Sequence, residues 1–299
     1  MFEHDPRKCH CADALNFGEP APDCSDCGGT GIPRPEAVIL QRGMKEDELA
    51  AAEPHFHCVD LRSQVIPGSL VIGRYSVLPY YKEFEQDLAS IGARLINTHK
   101  QHRFIADLGN WYEVLKDLTP QTWYRAEELP EVGPFVVKGE TNSKKFQWKT
   151  HMYAHSRLDA INVMCRLQED GLICDQHIYF RQYVPLVKLM DGFQGMPVTE
   201  EYRYFICGKQ VLSGGFYWSN YEDDIPGGPP DWKLVPEAFL QKVIDRVGDR
   251  ASFYVVDIAK TQSGEWIVIE LNDGQMSGLS CNDPKLLYSR LRQTIGGTR

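Results

Sequence analysis

The sequence has no run of apolar residues long enough to cross a membrane, and it begins without the basic start and apolar stretch of an export signal. It also lacks an excess of positive charge, because 32 lysines and arginines stand against 41 aspartates and glutamates, which gives a formal net charge of −9. These absences argue against a membrane partner and against a general binder of nucleic-acid backbones. We expect a cytoplasmic protein for which nucleic acid is a disfavoured partner.

The nine cysteines lack the arrangement of a disulfide framework. Four of them crowd the start of the chain: Cys9, Cys11, Cys24 and Cys27. Residues 1–34 contain few apolar side chains, so a tetrahedral zinc held by these thiolates would supply folding free energy that a small core cannot. Two interpretations stay open for this zinc-knuckle-like segment: a structural Zn²⁺ site, in which His4 or His10 could replace one thiolate, or free thiols on a flexible arm.

Apolar residues are abundant enough for a folded enzyme, since 42% of the 299 residues are hydrophobic and 11% are aromatic. Residues 35–50 suggest a connection followed by a short helix. A strand, a helix and a strand are then predicted at 69–75, 80–91 and 93–97, joined as a parallel crossover, and a further helix is expected over 104–118. The sequence thus predicts a small α/β domain over residues 35–120.

Residues 121–299 predict a second domain of α+β type, mostly antiparallel after residue 175. Helices are expected at 155–170 and 236–247, and a polar, lysine-rich loop spans 140–149. Apolar strands are predicted at 134–139, 178–184, 201–207, 210–217, 253–258 and 266–271.

The last two predicted strands carry the most informative polar residues. Asp257 ends one strand, and Glu270 and Asn272 lie two apart on the next, where alternate residues share one face. Three oxygen-bearing side chains on that face would suit magnesium, which is held by one or two carboxylates and completes its shell with nucleotide phosphates. The spacing alone equally fits a satisfied strand-end carboxylate followed by a turn-forming Asn-Asp-Gly.

Three cations lie on three other predicted strands: Lys138, Arg181 and Arg203. A buried ammonium needs an anionic partner, and for Lys138 that partner could be a nucleotide phosphate or a neighbouring carboxylate. Both arginines alternate with aromatic residues, so each could project into a cleft while the aromatic side chains pack. Guanidinium groups suit phosphate oxygens because they donate two parallel hydrogen bonds.

The order of these parts resembles the ATP-grasp superfamily over roughly residues 65 to 295. It looks closest to a divergent clade marked by two arginines and one lysine, which includes phage and bacterial proteins and a eukaryotic factor for assembly of a translation-initiation complex. The segments that carry the resemblance are Val136-Val137-Lys138-Gly139, Arg181-Gln182-Tyr183-Val184-Pro185, Glu201-Tyr202-Arg203-Tyr204-Phe205, Val256-Asp257-Ile258 and Ile269-Glu270-Leu271-Asn272.

The resemblance implies a two-lobed clamp with ATP between two sheets, preceded by the α/β domain. In such proteins the strand lysine, here Lys138, contacts the α-phosphate and the adenine edge. The hinge, here Gln182, Tyr183 and Val184, offers backbone groups to adenine. Arg181 and Arg203 would then face the phosphates.

The same resemblance implies that Asp257, Glu270 and Asn272 hold Mg²⁺. The reaction typical of the superfamily is carboxylate activation, in which an acylphosphate forms and an amine or other nucleophile displaces the phosphate. This chemistry depends on positioning and charge neutralisation rather than on a protein nucleophile.

The phosphate-covering loop departs from the common pattern because residues 139–149 are poor in glycine. Side-chain donors could replace backbone amides there, with Lys145 as the candidate that reaches the β- or γ-phosphate; a solvated basic loop is the alternative. Arg74, Gln275 and Ser277 are weaker candidates for contact with a second substrate.

We therefore predict an ATP- and Mg²⁺-dependent ligase that joins a carboxylate to an amine through an acylphosphate. Its substrates are unknown and could include a protein or peptide. The alternative is a nucleotide-binding assembly or protein-modification factor that does not act as a small-molecule ligase. End joining of nucleic acid is disfavoured, because Lys138 is followed by Gly-Glu-Thr rather than by the Lys-x-Asp-Gly pattern of nucleotidyltransfer ligases.

Overall fold

The computed structural model describes residues 37–297. The cysteine cluster at Cys9, Cys11, Cys24 and Cys27 lies outside the described residues, so the zinc prediction has no structural outcome. No helix within residues 37–297 is long and apolar enough to cross a membrane.

A four-stranded parallel sheet opens the described chain, with strand order β2-β1-β3-β4. Its strands are β1 (Ala37–Gln41), β2 (His57–Val59), β3 (Leu70–Arg74) and β4 (Arg94–Leu95), and helices α1 (Glu46–Ala52) and α2 (Tyr81–Ser90) connect them. The crossover expected from β3 through α2 to β4 is confirmed. The treatment of residues 35–50 as a connection and a helix was wrong in part, because β1 lies at the centre of this sheet.

The chain next forms two short helices, α3 (His99–Ala106) and α4 (Leu108–Leu115). A single helix over 104–118 was expected. Asp107 separates the two because its backbone is extended, and its side chain caps α4 by accepting a hydrogen bond from the Gly109 N–H at 2.9 Å.

A second sheet is antiparallel, with strand order β5-β8-β6-β7. Its strands are β5 (Thr122–Trp123), β6 (Val132–Gly139), β7 (Tyr153–Ser156) and β8 (Ile178–Gln182), accompanied by helices α5 (Trp148–His151) and α6 (Arg157–Gln168). Helix α6 buries Ala160, Val163 and Leu167 against β6 and β8. A two-stranded ribbon follows, made of β9 (Lys188–Asp191) and β10 (Pro197–Thr199).

A third sheet is also antiparallel, with strand order β12-β11-β13-β14. Its strands are β11 (Glu201–Cys207), β12 (Gln210–Phe216), β13 (Phe253–Lys260) and β14 (Trp266–Asp273), and helices α7 (Glu237–Val247) and α8 (Pro284–Gly297) accompany it. The expectation of mostly antiparallel pairing after residue 175 is confirmed.

The third sheet is covered on both faces, because alternate residues of each strand point to opposite sides. On one face, Tyr204 and Val256 pack in a cluster with Trp111 of α4 and Val243 of α7. On the other, residues such as Phe205 pack against the parallel sheet and α8. The same face carries charged residues at the far end of β11, and these face the second sheet.

Candidate functional site

A cleft lies between the second and third sheets. Val136 and Lys138 of β6 line one wall, and Ile269 and Glu270 of β14 line the other. Its empty volume is about 1040 Å³ with the open mouth included, close to the upper end of the range for small-molecule sites, roughly 300–1,000 Å³. Seven of the predicted site residues line it: Lys138, Lys145, Arg181, Gln182, Tyr183, Val184 and Glu270.

The acidic strand pair is formed as its spacing predicts. Asp257 of β13 lies directly opposite Glu270 of β14, and Asn272 lies two residues further on, opposite Val255. Asp257 is fully buried and does not line the cleft, and neither does Asn272. Glu270 is thus the member of the predicted magnesium set that the cleft wall presents directly.

Arg203 occupies both oxygens of Asp257. Its Nε and Nη2 donate to the two carboxylate oxygens at 2.8 Å each, and its Nη1 donates to the carbonyl oxygen of Gly278 at 3.0 Å. Burial alone would lower the pKa of Arg203, but the charge and hydrogen bonds of Asp257 raise it overall. Arg203 is therefore fixed within the third sheet and stands behind the cleft wall.

Within residues 37–297, no group of three or more His, Cys, Asp or Glu side chains is arranged to hold a metal ion. The predicted set supplies two carboxylates and one amide, which suits magnesium only if other oxygens complete its shell. Nucleotide phosphates in the cleft would be such oxygens.

Lys138 forms an ion pair with Glu270 across the cleft. Its side chain is buried, and burial lowers the pKa of Lys138 despite the opposing effect of Glu270. For Glu270, burial raises the pKa, but Lys138 and Lys145 outweigh that effect and lower it. Of the two partners that the sequence left open for Lys138, the carboxylate is the one present in this structure.

Arg181 lines the cleft and also connects its two walls. Its Nη1 donates to the carbonyl oxygen of Ile269 and its Nη2 to Thr119 Oγ1, each at 2.6 Å. Burial lowers the pKa of Arg181 to about 10. Its Nε has no hydrogen-bond partner in the described part of the chain, so one donor remains for a ligand.

Lys145 enters the site from the segment between β6 and β7. Its Nζ donates to the hydroxyl of Tyr217 and lies 4.1 Å from the centre of that ring and 5.3 Å from the ring of Trp218. Burial alone would lower the pKa of Lys145, but Tyr217, Glu201 and Glu270 raise it. Lys144 is used differently, because it forms an ion pair with Asp170 at 2.6 Å.

The predicted hinge follows β8 at one end of the cleft. The N–H of Gln182 donates to Gln121 O at 2.8 Å and that of Tyr183 to Pro134 O at 3.1 Å. The N–H of Val184 has no partner among the described residues and is available to a ligand. Apolar side chains of Met152 and other lining residues surround this end, which suits a flat aromatic base.

Glu201 is a site residue that the sequence analysis missed. It lies two residues before Arg203 on β11, lines the cleft and is only 3% exposed. Its Oε1 has no hydrogen-bond partner in the described region, and burial above all raises its pKa to about 7. The available signal was strand parity, because Glu201 shares a face with Arg203. Trp218 was missed too, and its buried Nε1 also has no partner in residues 37–297.

Arg74 does not line the cleft, contrary to its candidacy for a second substrate. It donates to Glu48 at 2.6 Å and to the carbonyl oxygens of Gly274, Gln275 and Ser277. The Gln275 side chain is likewise occupied, because it accepts from the Gly73 N–H and donates to the Tyr81 hydroxyl. These residues hold the C-terminal loop to the parallel sheet.

The two sheets and the cleft between them form an ATP-grasp fold, which many solved structures share. A RimK domain ATP-grasp protein from Sphaerobacter thermophilus is 16% identical and has a TM-score of 0.54, with 87% of this chain and 96% of that one covered. For the D-cycloserine synthetase DcsG, the values are 14%, 0.54, 87% and 99%. For the ATP-grasp ligase PsnB, complexed with a precursor variant, Mg and ADP, they are 10%, 0.55, 87% and 97%.

The model of the third ATP-grasp domain family in the clade named for two arginines and one lysine matches residues 127–291. This match covers more than half of the chain, so the chain belongs to that family. The resemblance inferred from the ordered motifs is thereby confirmed. No curated protein matches the sequence.

Proposed function

We propose that this chain binds Mg-ATP in the cleft and uses it to join a carboxylate to an amine. The observation that carries the proposal is the collection of Lys138, Lys145 and Arg181 in one largely buried cleft with Glu270 and Glu201. Such a mixture of cations and acids suits a polyphosphate together with a divalent cation. The ATP-grasp fold of the family supports ATP as the polyphosphate.

The free donors and acceptors suggest where each part of the nucleotide lies. Adenine would stack between the apolar side chains near the hinge and accept a hydrogen bond from the N–H of Val184. The unpaired Oε1 of Glu201 would accept one from a ribose hydroxyl. The phosphates would lie against Lys138 and Lys145, and Lys138 would then exchange the carboxylate of Glu270 for a phosphate oxygen.

Glu270 would be released by that exchange to bind Mg²⁺, with Asp257 and Asn272 as the other protein ligands in the proposal. The ion, when bound, neutralises charge on the phosphate oxygens. Arg203 holds Asp257 in its buried position through two hydrogen bonds, and a buried, paired carboxylate is ionised and ready to act as a ligand.

The reaction proceeds in two transfers. A carboxylate oxygen of the first substrate attacks the γ-phosphorus, the bond to the β-bridging oxygen breaks, and ADP leaves with that electron pair. The amine nitrogen then attacks the acyl carbon, inorganic phosphate leaves, and the nitrogen loses one proton. Lys145 and Lys138 contribute positive charge around the transferred group, and the cleft walls limit access of water.

Binding of Mg-ATP to purified protein tests the first part of the proposal by titration calorimetry. Lys138→Gln and Glu270→Gln keep a polar end at each position, and we expect each to weaken ATP binding by tenfold or more. Lys116→Gln is the matched control, because Lys116 is an exposed lysine paired only with Glu113. Unchanged ATP affinity in both cleft variants, with wild-type melting temperatures, would contradict the assignment.

Release of ADP tests the ligase chemistry separately. We expect ADP to form with a suitable carboxylate and amine, and a peptide carboxylate belongs in the panel because the neighbour PsnB was solved with a precursor peptide. ATP binding without turnover on any carboxylate and amine pair, together with ATP-dependent capture of a protein partner, would favour an assembly factor instead.

A further inference from the structure

Lys145 is a cation held by aromatic rings rather than by a carboxylate. Its Nζ donates to the Tyr217 hydroxyl and lies over the rings of Tyr217 and Trp218. No Asp or Glu in the described chain lies within ion-pair distance of it. An ammonium has three donors, so two of them remain for an anion in the cleft.

Tyr217 contacts a second cation as well. The guanidinium carbon of Arg203 lies 4.8 Å from the centre of the same ring. The tyrosine itself is fixed, because its N–H donates to the carbonyl oxygen of Glu201 at 2.9 Å and its ring packs edge-on against Trp218 at 5.0 Å. A lysine from the covering segment and an arginine from the third sheet thus share one aromatic partner.

This arrangement answers the lack of glycine in residues 139–149. A glycine-rich loop covers phosphates with backbone amides, whereas this segment has to rely on side chains. A lysine side chain has four rotatable bonds and carries about 2 kcal/mol of rotamer entropy, so it binds an anion well only if something fixes its end. The ring and hydroxyl of Tyr217 do so, since cation–π contact attracts an ammonium to the ring face.

We propose that Tyr217 is a positioning residue that fixes the Lys145 ammonium beside Arg203. It thereby sets the place where the segment between β6 and β7 covers the phosphate groups of the nucleotide. The inference rests on the proposed nucleotide site for its role in catalysis. Its structural part, a contact between Tyr217 and the covering segment, is independent of any ligand.

Limited proteolysis of the nucleotide-free protein tests the structural part. Trypsin cleaves after lysine, and the covering segment contains Lys144, Lys145 and Lys149. We expect Tyr217→Leu to speed cleavage within residues 140–151 about tenfold and Tyr217→Phe to speed it less, since phenylalanine keeps the ring. The control is Tyr221→Phe, which removes a nearby hydroxyl that accepts from the Phe193 N–H at 3.0 Å, and it should cleave at the wild-type rate.

Cleavage at the wild-type rate in both Tyr217 variants would overturn the proposal. A Tyr217→Leu protein that fails to fold leaves the decision to Tyr217→Phe. That variant supports the proposal if the segment is cleaved faster at an unchanged melting temperature, and it contradicts the proposal if cleavage is unchanged.

A double-mutant cycle on ATP affinity tests the positioning role. We expect Lys145→Met and Tyr217→Leu each to weaken ATP binding about tenfold and the double variant to be no weaker than either. Losses that multiply to about a hundredfold would show that Tyr217 acts independently of Lys145 and would overturn the role. If the wild-type protein binds no ATP, the proposed function fails, whereas proteolysis still decides the contact.

Discussion

The charged side chains around the cleft differ in how far they are committed to protein partners. Lys138 and Arg203 are paired with Glu270 and Asp257. Lys145 and Glu201 have no ion-pair partner in the part of the chain that is described. Because an unpaired buried charge is unfavourable, these last two are the residues whose placement a bound ligand would best explain.

Glu201 gives a prediction about pH at the scale of one residue. Burial raises its pKa from 4.5 to about 7, Asp257 and Glu270 add to this, and Lys145 and Arg203 oppose it. The folded protein therefore holds a proton here that the unfolded chain releases above pH about 4.5. Glu201 thus destabilises the fold progressively as pH rises towards 7. We expect Glu201→Gln to gain in melting temperature over wild type between pH 5 and pH 8.

Scanning calorimetry of both proteins at several pH values measures that gain. Glu127→Gln is the control, because Glu127 is exposed on the surface and its removal should shift the profile little. Parallel pH profiles for wild type and Glu201→Gln would contradict the environment described for this carboxyl.

Strand parity predicted several of these residues, and burial limited the rest. Lys138, Arg181 and Glu270 were identified because each lies on an apolar strand, where a charge needs a purpose. Glu201 follows another glutamate at the start of its strand, and nothing local separates the exposed one from the buried one. The mutual pairing of Lys138 and Glu270, 132 residues apart, depends on the meeting of two sheets.

At the scale of single elements, β12 passes unusually close to the C-terminal loop. A Cβ built on Gly215 would lie 2.5 Å from the carbonyl carbon and oxygen of Cys281 and 2.6 Å from the Asn282 nitrogen. All three are backbone atoms, so no side-chain rotation relieves the clash. The loop is also tied to the site, because the carbonyl oxygen of Gly278 accepts from Arg203.

Gly215→Ala should therefore push the loop away from β12. We expect a loss of about 1–3 kcal/mol in the free energy of unfolding, as for other overpacked sites, together with weaker ATP binding. Urea unfolding and calorimetry measure the two effects. Gly171→Ala is the matched control, since a Cβ there meets no atom within 4 Å; equal stability of the two variants would refute the close approach.

Elements were predictable where their pattern was periodic. Helix α2 was found because Tyr81, Phe84 and Leu88 recur at helical spacing and form its buried face. Strand β1 was missed because Val38, Ile39 and Leu40 are all fully buried, as in a strand covered on both sides, and such a run shows no alternation. The break at Asp107 was missed because one extended residue leaves no trace in hydrophobic spacing.

At the scale of the whole molecule, a buried polar network attaches the parallel sheet to the third sheet. Asn97, which follows β4, donates to Phe253 O at 2.6 Å and Asp273 Oδ1 at 2.9 Å, and it accepts from the N–H groups of Ser252 and Phe253. His102 lies 3.0 Å from the second oxygen of Asp273. The order of motifs predicted the clamp, but contacts such as this one join residues more than 150 positions apart and have no local signature.

The network predicts that Asn97 couples the stability of the parallel sheet to the geometry of the site. Asn97→Leu would leave the Ser252 and Phe253 N–H groups unpaired, and each unsatisfied buried group costs about 1–3 kcal/mol. We expect the free energy of unfolding to fall by about 3 kcal/mol or more in urea titration. ATP affinity should fall as well, because Phe253 begins the strand of Asp257 and Asp273 adjoins Asn272. Asn220→Leu, at an exposed position, should change stability by no more than about 0.5 kcal/mol. A large loss of stability with unchanged ATP affinity would show that the network supports the fold but not the site.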